Sequence, residues 1–174
     1  MIFECGAWAE PAHLFVLAGR DCARRYRALS GGDLAVRIAD MEIHPFCAEH
    51  LDGVLALCLA EGWPSFPDDP VRALRILTAP GVTTVVAVID SDVVGFAELF
   101  SDGELQAFLT NLAVSAGHRG RGVGRALVEE SLRVAGGERI DLLSEEASVG
   151  FYESFPHFRK PGFRLYPFHE ATQD

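Results

Sequence analysis

The run Leu112-Ala113-Val114-Ser115-Ala116-Gly117-His118-Arg119-Gly120-Arg121-Gly122-Val123-Gly124-Arg125 lies where a strand gives way to a helix. Before it, Glu104 to Val114 reads as a long strand. After it, Gly122 to Ala135 reads as a helix, with Val123, Leu127, Val128, Leu132 and Val134 mostly inward. Glycines at 120, 122 and 124 remove the Cβ atoms that would hold a ligand off the backbone. The amides of a first helical turn have no partners inside the helix, and with the helix dipole they form an anion site. Arg119, Arg121 and Arg125 add positive charge around it. A diphosphate is the natural guest. As a plain turn with solvated arginines, three alternate glycines would only weaken the helix start.

Two common diphosphate motifs do not fit. A P-loop needs Gly-Lys-Ser/Thr, and the only lysine in the chain is Lys160. A dinucleotide fold needs Gly-x-Gly-x-x-Gly. Counting from Gly120 puts Arg125 at the last glycine, and counting from Gly122 puts Leu127 there. A nucleotide or dinucleotide binder is therefore the weakest reading of the turn.

The segments around the turn set its context. Val36 to Ala39 alternates as a first strand, and about 46–60 carries Phe46, Cys47, Leu51, Val54, Leu55, Cys58 and Leu59 at helical spacing. Asp69-Pro70 gives an N-cap followed by proline at the first helical position, opening a short helix to Thr78. Val82 to Ile89, Val93 to Phe100 and Glu104 to Val114 form an antiparallel meander through two short turns. Arg139 to Leu143 is a further strand, Ala147 to Phe155 a short helix and Gly162 to Phe168 a last strand. The class is α/β, a mixed, largely antiparallel sheet with helices on its faces.

Residues 1–34 stand apart. Pro11 to Leu29 has helical spacing and a basic second half with Arg20, Arg24, Arg25 and Arg27. An extra docked helix, an oligomer contact and a mobile extension all fit it. Residues 35–174 are expected to form one domain.

Composition narrows the class. The chain has 174 residues, 49% of them hydrophobic and 23% charged, which excludes a disordered or fibrous protein. No apolar run approaches the ~20 residues of a membrane span, and Met1-Ile2-Phe3-Glu4 lacks the basic start of a secretory signal. The expectation is a cytoplasmic protein that binds no membrane. A net charge of −10 repels nucleic-acid phosphates and suits a cationic partner such as an amine, or serves only solubility. The cysteines, Cys5, Cys22, Cys47 and Cys58, form no Cys-x-x-Cys pair and are expected to be buried free thiols. The histidines lack metal-ligand spacing, so no metal is expected.

The pattern Arg119-x-x-Gly122-x-Gly124, after a strand ending Leu112-Ala113-Val114, resembles the acetyl-CoA-binding motif of the GNAT superfamily, Gln/Arg-x-x-Gly-x-Gly/Ala. The element order over about 36–168 resembles that family too. The resemblance implies a sheet splayed between strand 105–114 and strand 139–143. It also implies pantetheine pairing with Leu112, Ala113 and Val114. The amides of Arg119, Gly120, Arg121, Gly122, Val123 and Gly124 would hold the pyrophosphate, and Arg125 would reach toward an adenosine phosphate. Phe151-Tyr152-Glu153 matches the family's helix that carries a general acid, which assigns that role to Tyr152; a packing tyrosine is the alternative.

The sequence departs from the family at three places. Ala116 replaces a common proline, Glu145 replaces a common asparagine, and Ser154 to Pro161 separates Tyr152 from Gly162-Phe163. Phe108 occupies the position where some members carry a catalytic glutamate, so that role has no residue here. Glu98, interrupting the apolar run Gly95 to Phe100, is the first candidate base, provided it faces inward. Trp63 and Phe66, in the loop that lines the family's acceptor pocket, are candidate substrate contacts or simple loop anchors.

The resemblance implies an N-acetyltransferase that moves the acetyl group of acetyl-CoA directly to a primary amine of a small molecule or peptide in a ternary complex. The competing reading is a non-catalytic acyl-CoA-binding module on the same fold. The expected partners are the amine acceptor and a second copy of the chain in a homodimer, with no nucleic acid.

Overall fold

The structure, a computed structural model, describes residues 41–168. The helix expected at 11–29, the strand at 36–39, Cys5 and Cys22 lie outside the described residues. The order is β1 (Glu42–Pro45), α1 (Leu51–Ala60), α2 (Pro70–Leu77), β2 (Val82–Ile89), β3 (Asp92–Ser101), β4 (Gln106–Val114), α3 (Val123–Ala135), β5 (Arg139–Leu142) and α4 (Val149–Tyr152). Among the described residues the sheet has five strands in the order β1-β2-β3-β4-β5. All neighbours are antiparallel except β4 and β5, which run parallel.

Local chemistry explains the boundaries. Asp69 Oδ1 accepts the Arg72 amide at 2.9 Å and Pro70 opens α2, as its sequence predicts. The strand read from Glu104 starts instead at Gln106, because Asp102 Oδ1 accepts the amides of Glu104, Leu105 and Gln106 and holds them in a turn. The helix read over 46–60 begins with a 3-10 turn, Ala48–His50. Cys47 precedes that turn and is half-buried rather than on a helix face, while Cys58 is buried on α1; both are free thiols. The helix read over 147–155 is a 3-10 turn, Glu146–Ser148, followed by the short α4.

The expected last strand, 162–168, is not one. These residues are exposed: Gly162 to Tyr166 have no regular structure, Pro167 and Phe168 lie in a turn, and none of them joins the sheet among the described residues. Phe163 and Leu165 alternate, but no strand pairs with them among the described residues.

Alternation along the strands builds two cores. Val85, Ala87, Ala97, Leu99, Ala107 and Leu109 pack under α3 against Val123, Ala126 and Leu127. On the opposite face Val86, Phe96 and Ala113 meet Val54, Leu57 and Cys58 of α1 and Leu77 of α2.

Candidate active site

Two irregularities in β4 create the site. Glu98 pairs with Asn111 but Leu99 pairs with Leu109, so Thr110 is an extra residue in β4. A bulge of this kind reverses the alternation beyond it. Before Thr110 the odd-numbered residues Ala107 and Leu109 face α3; after it Leu112 and Val114 do, and Ala113 turns to α1. The Thr110 hydroxyl donates to the Glu98 carbonyl at 3.0 Å and pins the bulge.

The second irregularity is the end of pairing. β5 accompanies β4 only from Gln106↔Arg139 to Leu109↔Leu142. Beyond Leu109, β4 keeps β3 on one side from Asn111 to Val114 and has no strand on the other among the described residues. The splay expected between 105–114 and 139–143 is present, and it opens at the bulge.

The glycine-rich turn stands at the far end of this open edge. Gly120 and Gly122 adopt φ of 70° and 87°, left-handed values that cost an L-residue roughly 1–2 kcal/mol. A Cβ on Gly120 would meet no atom within 4 Å. The backbone N–H groups of Arg119 to Arg125 meet no protein acceptor among the described residues; the first paired amide of the helix is Ala126, to Gly122 O at 3.0 Å. Seven consecutive donors at a helix start fit a polyanion. Gly124 serves another purpose: a Cβ there would lie 3.3 Å from Phe151 Cε2, so this glycine lets α3 approach α4.

The arginines differ in their roles. Arg119 Nε donates to Val114 O at 2.9 Å, and its Nη2 pairs with Glu61 at the end of α1. Arg125 Nη2 donates to Ser154 O and Oγ, both at 2.9 Å, and its guanidinium lies 4.0 Å from the Phe155 ring centre. These two arginines brace the turn against β4, α1 and the segment after α4. Arg121 is exposed and has no side-chain partner among the described residues.

The titratable groups lie on opposite faces of β4. Glu98 faces the α1 side and is only 1% exposed, so it does not face solvent. Burial pushes its carboxyl above the ordinary carboxylate range, opposed by the hydrogen bond from Asn111. Tyr152 packs on the α3 side, half-buried, with its ring edge-on to Phe151 at 5.0 Å, and burial pushes its hydroxyl upward. Trp63 and Phe66 pack half-buried on the cluster of Phe96 and Ala113, on the Glu98 side. Glu145 is exposed at the start of the turn before α4.

The sequence reading missed Asn111. Its amide Nδ2 donates to Glu98 Oε2 at 2.5 Å, from the part of β4 that β5 leaves open. Nothing in the sequence marks Asn111, because its importance comes from a bulge that aligns it with Glu98.

Residues 48–156 match the model of the acetyltransferase (GNAT) family. This chain belongs to the GNAT family. Its members transfer acetyl groups, and the chain is an acyltransferase. A crystal structure assigned as an acetyltransferase, from Deinococcus radiodurans R1, is 30% identical, covers 78% of this chain and 94% of its own, and superposes with a TM-score of 0.61. A GNAT-family acetyltransferase from Streptococcus pneumoniae TIGR4 is 25% identical, covers 74% and 99%, and gives 0.60. The aminoglycoside N-acetyltransferase AAC(6')-Iy, in complex with CoA, shares the fold at 21% identity, with coverage of 77% and 99% and a TM-score of 0.62. No curated protein matches the chain. Among the described residues no helix is long and apolar enough to cross a membrane, and no His, Cys, Asp and Glu cluster fits a metal.

Proposed function

We propose that this GNAT acyltransferase binds acetyl-CoA along β4 and transfers its acetyl group directly to a primary amine in a ternary complex. The observation that carries this reading is the run of unpaired amides from Arg119 to Arg125, set at the end of a strand edge open from Thr110 to Val114. In this reading the amides of Arg119 to Gly124 hold the pyrophosphate, with Arg121 adding charge. The backbone of Leu112, Ala113 and Val114 pairs with the pantetheine amides. Arg119 and Arg125 shape the cradle through Val114 O and Ser154.

Acetyl-CoA supplies an activated thioester. The amine nitrogen forms the new C–N bond as the C–S bond breaks, so the amine loses a proton and the thiolate gains one. Tyr152 donates to the departing sulfur, and its upward-shifted hydroxyl remains protonated at neutral pH. Glu98 receives the proton of the amine. Its raised affinity for protons suits a base, and the open edge beside Asn111 admits the water needed to reach it. Trp63 and Phe66 line the acceptor side.

Calorimetry with acetyl-CoA, followed by a free-thiol assay over an amine panel, tests the proposal. Burial and the nearby Glu98 and Glu61 carboxylates push the Cys58 thiol up to about 11, so it remains silent in the thiol assay. Absence of acetyl-CoA binding defeats the reading.

A further inference from the structure

The α1 face of the sheet carries an uncovered patch next to the splay. Phe100 and Phe108 are cross-strand partners on β3 and β4, yet they remain 47% and 38% exposed. They share the face of Glu98 and Asn111, the pair nearest them across the Thr110 bulge. α1 lies over β3 and α2 over β2, and neither covers this corner. Asp141 of β5 sits in register with Phe108 on the same face, because Ile140 and Leu142 turn the other way into the α3 core. Its Oδ2 accepts Gln106 Nε2 at 2.6 Å, and no cation pairs with it among the described residues. Arg139, two residues before Asp141 on the same face, donates to Gln106 Oε1 at 3.1 Å, so Gln106 stands between the two charges. The corner is thus an apolar platform of two rings, with Asp141 directly beside Phe108 and Arg139 one pair further out.

We infer that this platform is the acceptor subsite, and that the acceptor is a primary amine joined by a short alkyl spacer to an aromatic or bulky apolar body without a carboxylate. The inference rests on the acetyl-CoA reading above, which puts the transferable group beside the bulge. Phe108 and Asn111 are separated along β4 by about 7 Å, counting the bulge as one step at ~3.3 Å per residue. A ring stacked on Phe108 therefore reaches the Glu98–Asn111 pair with its nitrogen through a spacer of about two carbons. Exposed ring faces gain from stacking an apolar body and offer nothing to a polyhydroxylated one. Asp141, in register with Phe108 and closer to the rings than Arg139, attracts an ammonium and repels a carboxylate, which separates an amine from its parent amino acid.

The test compares 2-phenylethylamine, phenylalanine and glucosamine, with CoA binding measured on each sample. The expected result is a kcat/KM for 2-phenylethylamine at least ten-fold above the other two. Calorimetry should detect its binding to the CoA-loaded protein. Phe108→Ala should lower that binding and kcat/KM about ten-fold with CoA affinity and melting temperature unchanged, and Phe108→Leu should restore part of both. Asp141→Asn should narrow the margin over phenylalanine. Preference for phenylalanine or glucosamine, or indifference to Phe108→Ala, overturns the inference while leaving the cofactor reading intact. Absence of CoA heat defeats the cofactor reading, and the acceptor inference with it.

Discussion

Asn111 donates its amide to the Glu98 carboxylate at 2.5 Å, across the bulge that Thr110 makes in β4. This one bond joins a buried acid to the open edge of the sheet. Burial outweighs it, and the Glu98 carboxyl is raised above its ordinary value. A carboxyl raised by folding leaves the folded state at no disadvantage below the unfolded pKa, about 4.3. As pH climbs above that value the unfolded chain ionises first, and stability is lost until the folded pKa is passed. Glu98→Gln keeps an acceptor for Asn111 and removes the titration. Its melting temperature should gain on the wild type as pH rises from 4 to 8, measured by calorimetry, while kcat falls by about 10²-fold or more at neutral pH. A stability difference independent of pH would remove the buried-acid assignment.

Tyr152 carries the other proton of the reaction and lies on the opposite face of β4. Tyr152→Phe keeps the ring that packs edge-on against Phe151 and deletes only the hydroxyl. Turnover should fall ten-fold or more with the KM for acetyl-CoA retained, the pattern of a contact made in the transition state alone. Because burial raises the hydroxyl, the alkaline loss of kcat in the wild type should lie above the ordinary tyrosine value of about 10.

The glycines of the turn separate binding from catalysis. Gly120→Ala places a methyl in open space above the unpaired amides and adds the cost of φ 70°, so the Kd for acetyl-CoA should rise ten-fold or more with kcat little changed. Gly124→Ala instead drives a methyl to 3.3 Å from the Phe151 ring, one residue from Tyr152. It should lower kcat more than it weakens acetyl-CoA binding. Calorimetry and steady-state kinetics on the two variants distinguish the cradle from the packing contact.

Much of this architecture is written locally and is legible in sequence. The Asp69-Pro70 cap, the meander turns and the motif from Arg119 to Gly124 act through neighbours a few residues away. What is illegible depends on distant partners. Gly162 to Phe168 has strand-like composition, but a strand exists only where an edge accepts it, and Phe163 remains 82% exposed. β1 was missed because Glu42-Ile43-His44-Pro45 has little alternation of its own; it is a strand because β2 pairs with it. Asn111 became visible only through the bulge. The motif also could not divide its arginines into anion contacts and braces, since Glu61 and Ser154 lie far from them in sequence.

That division yields the last prediction. Arg119 is tied to Val114 O and Glu61, whereas Arg121 is exposed without a partner among the described residues. A charge that meets the diphosphate directly contributes a salt-screened attraction, and a brace contributes geometry that salt does not screen. Arg121→Ala should therefore weaken acetyl-CoA binding most at low ionic strength and flatten its salt dependence. Arg119→Ala should weaken binding by about ten-fold at every salt concentration, because the loss of a backbone hydrogen bond worth ~0.5–1.5 kcal/mol lets the turn drift from β4. Glu61→Ala, which removes only the exposed ion pair, should reproduce a small part of that loss. Calorimetric titrations at low and high salt check all three. A salt dependence that Arg119→Ala flattens and Arg121→Ala leaves alone would exchange the two roles.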